Sequence, residues 1–428
     1  MNQPKQKLEG RALPIVLSTI FLDAIGIGIL FPILSQLVFK IFIPAGYSPH
    51  MAFIILGWLA GIYPAMQFFA TPILGQLSDR FGRRRVLGLS IFTTAAGYAL
   101  FALGIVLKNI PLLFAARAIA GIAGGNISVA RAVVADVSSA ERRTRNFGLI
   151  GAAMGMGFVL GPFLGARLSV PNVSFLGLHA PSWFSTTTPF WFAALLSAIN
   201  VILLIIRLPE TNQYLSAGRV IWTKAFANIR VAATSRELRT ILITEFAFWG
   251  GFAFFTTFLP LQLIQRLHYG SDSIGNFFAF IGVCIALAQG LLIPVLAKRF
   301  KNYQVVRGAT LAMAAALFLQ LSVWNTTELV LVGALIAFCY SIFMTNASAL
   351  VSSSASGDIQ GEVLGIEASV QALGESIPAI VAGYIATIGI TTPTLVGASV
   401  VLVGGLIFNL FYRAQKGGLH MKNGIVAE

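Results

Sequence analysis

The sequence predicts an all-α membrane protein, with twelve transmembrane helices in two pseudo-symmetric six-helix bundles. Three observations predict it. Hydrophobic residues make up 57% of the 428 and charged residues only 10%, against about 25% charged in a soluble domain, so a soluble fold could not cover its own core. The apolar residues fall in continuous runs such as 91–107, 274–296 and 394–411. A spanning helix needs roughly 20 apolar residues, whereas a barrel strand alternates over about 10. Finally, a polar, basic stretch around 209–239 separates six such runs from six more.

The expected spans of the first bundle, residues 1–207, are 12–38, 50–74, 86–107, 110–130, 147–168 and 189–207. A cytoplasmic linker at 208–237, with a short amphipathic helix, leads to the second bundle, 238–428. Its spans are 238–262, 274–297, 306–324, 328–350, 363–388 and 394–412. Lys5, Lys7 and Arg11 precede the first run, but that run is too long for a signal peptide and many spans follow, so it is expected to be a retained helix. A faint repeat accompanies the division: LSDRFGRRRVL at 77–87 follows the second span, and LAKRFKNYQVV at 296–306 follows the eighth. Such repeats are common in transporters, with substrate sites near the midplane. The aromatic stretch Ser182–Phe192 reads as an interfacial belt before span six.

Orientation follows from charge. With the N-terminus in the cytoplasm, only Lys40, Lys108, Arg167, Arg266 and the in-span Arg117 stand off the cytoplasmic side, out of 29 Lys and Arg. This is the positive-inside asymmetry. It places both termini in the cytoplasm and assigns the net charge of +14 to topology rather than to nucleic-acid binding. The expected compartment is the plasma membrane, specifically the bacterial inner membrane. Cys284 and Cys339 lie in separate spans and suit ordinary packing. Neither a metal site nor a cofactor is expected.

A charge at mid-bilayer costs about 2.5–3.5 kcal/mol on insertion scales, so each one needs a reason. The acids within expected spans are Asp23, Glu245, Glu367 and Glu375, and Arg117 is the one clear base. His50, His179, His268 and His420 fall in loops, at a span edge or in the tail, so any proton path rests on carboxylates. Asp23 lies mid-span beside Gly26 and Gly28. It is either a protonation or substrate-cation site, or a buried hydrogen-bonding group. Glu367, Gln371 and Glu375 recur at i, i+4 and i+8, one stripe of a helix, and the stripe should face a central cavity. Glu375, flanked by Gly374 and Pro378, is the candidate proton carrier; an inter-helix hydrogen bond or salt bridge is the alternative. Glu367 is nearer the cytoplasmic end and equally suits a gate. Glu245 is shallow in span seven, where a partly solvated position competes with a functional one. Phe68, Phe69, Trp249, Phe252, Phe254, Phe255, Phe277 and Phe278 are candidates for an apolar cavity wall or for helix packing.

The most specific pattern lies in the second loop, where Gly75, Leu77, Asp79, Arg80, Gly82, Arg83 and Arg84, followed by Arg85, set the spacing G-x-L-x-D-R-x-G-R-R-x. Gly82 allows a tight turn, Asp79 can cap a neighbouring helix, and the arginines can clamp helix ends or acids.

This loop resembles the signature between helices two and three of the major facilitator superfamily. Three further stretches resemble its drug:proton antiporter branch, which includes the tetracycline efflux proteins. They are the first-helix segment Leu22–Pro32, the fourth-helix segment Arg117–Gly125 followed by Val134, Ala135 and Asp136, and Gly157, Gly161, Pro162 and Gly165 of the fifth helix. Ala166 stands where that fifth-helix motif usually ends in glycine, and Pro209, Glu210 and Thr211 fit after span six. The resemblance implies that Asp79, Arg83 and Asp136 form a cytoplasmic latch favouring an outward-facing state, with Gly75, Arg80 and Gly82 in the same motif. It implies that Arg117 is a buried charge near the coupling path, and that the Gly-Pro segment lets helices approach and bend. The chain departs from tetracycline efflux proteins in one respect. Those carry an acid in helix three, a histidine in helix eight and an acid in helix nine, and none of these is present here.

The function expected is secondary active transport: proton-coupled export of a lipophilic or cationic small molecule by alternating access. Proton-coupled uptake of a nutrient or metabolite is the alternative. An intramembrane enzyme would need a His/Asp cluster, a Ser/His pair or metal-ligand spacing, and the spans hold none. Without a GxxxxGK[ST] loop, ATP drive is not expected. The expected partners are the substrate, protons and the bilayer, with the chain acting as a monomer.

Overall fold

A computed structural model describes residues 3–171, 174–175, 178–179, 181–212, 236–354 and 360–412. The linker helix expected within 208–237 and His420 of the tail lie outside the described residues. The first half runs α1 (Gln3–Leu37, prolonged by a π turn, Val38–Phe42), α2 (Pro49–Phe81), α3 (Arg83–Val106), α4 (Ile110–Gly124), α5 (Asn126–Val137), α6 (Ala140–Leu168) and α7 (Thr188–Arg207). A two-residue hairpin, β1 (Ser174–Phe175) with β2 (Leu178–His179), precedes α7. The second half runs α8 (Arg236–Leu267), α9 (Ser271–Leu287, joined by a π turn to α10, Ile293–Arg299), α11 (Asn302–Gln320), α12 (Thr326–Ser353), α13 (Gln360–Ile385) and α14 (Thr392–Phe411).

Taking α4–α5 and α9–α10 as one span each, ten of the described helices are long and apolar enough to cross a membrane. The more polar α11 and α13 complete twelve: α11 packs on α12 and α14, and α13 on α2 and α8. Large apolar side chains stand on the outer wall, among them Leu331 at 67% exposed and Leu410 at 71%, as a lipid-facing surface requires. The interior holds one apolar cluster in each half. A third joins Ile29, Leu37 and Phe101 of the first half to Phe258 and Ala382 of the second. In the second half Phe248 stacks on Phe343, centroids 3.6 Å apart.

The helices outrun the apolar stretches that mark them. The expected second loop is helical up to Phe81, and Gly82 alone interrupts the chain before α3. Gly82 holds φ at +96°, a conformation costly for any residue with a Cβ. The fourth span does not stop near 130. It breaks at Gly125 and resumes as α5, so Arg131, expected in a loop, lies inside a span.

Candidate functional site

The basic end of the bundle is organised around Arg83. Its guanidinium pairs with Asp79 of α2 at 2.6 Å and with Asp136 of α5 at 3.1 Å, and donates to Ser78 Oγ at 2.6 Å. Thr211 Oγ1 donates to the same Asp136 oxygen at 3.2 Å. One buried cation thus ties α2, α3, α5 and the segment after α7. Asp79 does not cap α3. Glu210 does, accepting from the backbone N–H of Arg83 at 2.9 Å and of Arg84 at 3.2 Å. The reason is geometric: Asp79 faces Arg83 one turn along, whereas α7 packs along α3 and delivers Glu210 over its open N-terminus. Arg80 stands outside the network, exposed, 5.3 Å over the Phe81 ring. A Cβ at Gly75 would make only an ordinary contact with Ser128.

The fifth-helix glycines form a seam within the first half. A Cβ on Gly161 would fall 2.7 Å from Gly28 Cα, and one on Gly165 2.9 Å from Ile29 Cα; Gly157 abuts Ala24 in the same way, and Pro162 lies against Gly28. α1 and α6 therefore touch backbone to backbone, the approach that small residues permit between membrane helices. Ala166, the departure from the motif, is buried and packs on Gly275 of α9, in the other half.

Between the halves lies a cavity of about 70 Å³. The first half lines it with Asp23, Tyr63, Tyr98, Asn126 and Arg131, the second with Gln371 and Glu375. Asn126 Nδ2 donates to Asp23 Oδ2 at 2.6 Å, and the other oxygen, Oδ1, is buried without a hydrogen-bond partner. Gln371 Nε2 donates to Glu375 Oε1 at 2.9 Å. The volume holds a few waters and falls well short of the roughly 300 Å³ at which ligand pockets begin. Its aromatic wall is tyrosine; the phenylalanines and Trp249 named above do not line it.

The stripe on α13 divides. Gln371 and Glu375 line the cavity, but Glu367 turns into the second half, buried at 6% and accepting a short hydrogen bond from Ser348 of α12. Glu245 is not partly solvated: it is 2% exposed, because α8 starts at Arg236 and sets Glu245 about 13 Å along the helix. The charges of Glu245 and Glu367 act on one another, and Arg131 acts on both. Arg131 also donates to the Leu364 carbonyl at 3.0 Å, crossing from one half to the other. Arg117 is buried behind Tyr63, over its ring at 4.5 Å, with Nε on the Leu59 carbonyl at 3.3 Å. Asn126 and Arg131 escaped the sequence reading. The signal available was a polar residue directly after Gly124 and Gly125, and a base five residues further on.

Residues 16–322 match the family profile of the Major Facilitator Superfamily. The chain belongs to this superfamily. Among relatives, it is 32% identical over 308 residues to the class C tetracycline resistance protein of Escherichia coli, covering 69% of each chain. It is 29% identical over 388 residues to the class E protein of the same organism, covering 88% of each. Among solved structures, the human organic anion transporter MFSD10 (TETRAN) aligns with a TM-score of 0.72 at 24% identity, covering 94% of this chain and 99% of that one. A D-xylose–proton symporter aligns at 0.75 and 16% identity, covering 95% and 99%; at these identities the likeness concerns the fold. The chain is therefore a multi-pass membrane transporter of the Major Facilitator Superfamily, resembling the tetracycline efflux proteins.

Proposed function

We propose that the protein exports a lipophilic or cationic small molecule in exchange for protons, by alternating access of residues 1–207 and 238–428 about the 208–237 linker. The observation that carries this reading is the cavity shared by Asp23 of one half and Glu375 of the other, with an unpartnered Asp23 oxygen inside it. A carboxylate there binds a cation when ionised and releases it when a proton arrives. One charge moved through 100 mV yields about 2.3 kcal/mol, enough to bias the cycle. At about 70 Å³ the cavity must widen before a drug-sized molecule enters, which separation of the halves accomplishes. The fifth-helix motif and the tetracycline resistance relatives support export. Magnesium–tetracycline is disfavoured as substrate: α3 and α11 carry no acid, α9–α10 carries no histidine, and Asp272 sits only in the first turn of α9. We place the monomeric protein in the bacterial inner membrane with both termini cytoplasmic.

The test is transport in proteoliposomes under an imposed pH gradient, with cationic dyes, lysolipids and tetracyclines as probes. Glu375→Gln and Asp23→Asn should each lower proton-driven flux at least tenfold. Undiminished flux in both variants would remove the carboxylate mechanism. Accumulation by right-side-out rather than inverted vesicles would replace export with uptake.

A further inference from the structure

A second recess lies on the outer wall of the first half, sharing no residue with the cavity. It has a volume of about 400 Å³ and runs between α2, α3 and α4. Its wall is Leu74, Leu77 and Phe81 of α2, Val86 and Leu89 of α3, and Ile122 of α4, with Arg85 at its basic end. Ser90 and Thr93 also border it, but their hydroxyls donate to the carbonyls of Val86 and Leu89 at 2.9 Å. The wall is therefore apolar along about 12 Å of α3. It opens outward: Leu89 is 67% exposed and Phe81 50%.

The arginines at its mouth are unequally committed. Arg83 belongs to the latch network, and Arg84 donates to the Ile205 carbonyl. Arg85 is exposed and makes neither hydrogen bond nor ion pair among the described residues. Arg80 lies over Phe81, which itself lines the groove. Among the described residues, no carboxylate lines the groove. An apolar slot in the wall of a membrane helix bundle is filled by acyl chain, and an uncommitted guanidinium where that slot meets the interface selects the headgroup. It prefers a phosphate carrying net negative charge and can bind it through two N–H donors.

We propose that this groove binds an anionic phospholipid, one acyl chain lying along α3 and the phosphate held by Arg85 with Arg80 beside it. The site is independent of the transport reading, since its test involves no transport. Delipidated full-length protein, titrated with phosphatidylglycerol or phosphatidylcholine and read by native mass spectrometry, should retain one phosphatidylglycerol about fivefold more tightly than phosphatidylcholine, the preference that one interfacial arginine confers. Arg85→Gln should abolish that preference and Arg85→Lys should keep most of it. Ile122→Trp, which fills the slot, should weaken both lipids alike. The variants are compared at matched thermal unfolding midpoints in detergent. Equal binding of the two lipids by the unmodified protein, a preference that survives Arg85→Gln, or full retention by Ile122→Trp would overturn the proposal.

Discussion

Single residues decide the basic end of the molecule. Glu210 is one carboxylate satisfying the open N–H groups of Arg83 and Arg84, where α3 would otherwise begin uncapped. Glu210→Ala should lower stability by about 1–2 kcal/mol, read as an earlier thermal unfolding midpoint in detergent, with Glu210→Gln between the two. A midpoint unchanged in the alanine variant would mean that water replaces the cap fully. Deeper in the membrane, Glu245 and Glu367 are both buried, and the charge of Arg131, which comes from the other half, acts on each. Removing one charge of such a group leaves the others uncompensated, and a buried unpaired charge is costly. Arg131→Gln should therefore impair transport more by itself than when combined with Glu367→Gln. A double-mutant cycle on flux or unfolding should show coupling of about 0.5–3 kcal/mol; additive effects would show that the residues act separately.

At the scale of helices, packing is governed by where a side chain is missing. The α1–α6 seam leaves Gly161 less than a methyl's room from Gly28, and overpacking such a contact costs about 1–3 kcal/mol. Gly161→Ala should lower the unfolding midpoint, whereas Gly148→Ala on the same helix, with open space about it, should leave it unchanged or raise it. Equal effects at the two positions would mean that α1 and α6 part easily. The existence of each helix was legible because a run of apolar residues is itself the physical requirement for spanning. The ends were not, because helices continue beyond the hydrocarbon: α2 carries Asp79 and Arg80 on its last turns, where hydropathy reads a loop. Polarity also misplaced Arg131, counted outside the membrane for its charge although helix α5 carries it inward. Of the site, Asp23 and Glu375 were legible as charges with no reason to be in lipid. Their partners were not, since Asn126 and Arg131 become partners only once α5 packs beside α1 and against α13.

At the scale of the whole molecule, the two halves are closed on each other at the end opposite Gly82. Trp58 Nε1 donates to Tyr384 Oη at 3.0 Å, Ser376 Oγ to the Gly61 carbonyl at 2.9 Å, and Arg167 to Asn276 Oδ1 at 2.6 Å. A Cβ on Gly57 would stand 2.8 Å from Gly383 Cα, so α2 and α13 meet with nothing between their backbones. The Arg83 network at the basic end is built within the first half, from α2, α3, α5 and the segment after α7. Release at the far end therefore does not require those bonds to break. If substrate crosses by alternating access, the far end must open in every cycle, and a tether there should stop transport without touching Asp23 or Glu375. The tether is a cleavable bis-maleimide between Trp58→Cys and Tyr384→Cys, with the buried Cys284 and Cys339 replaced by serine. Flux should fall to background on cross-linking and recover on cleavage, with the two single-cysteine proteins unaffected by the reagent. Full flux through the cross-linked protein would sink alternating access at this interface, because a closed far end would then be no barrier.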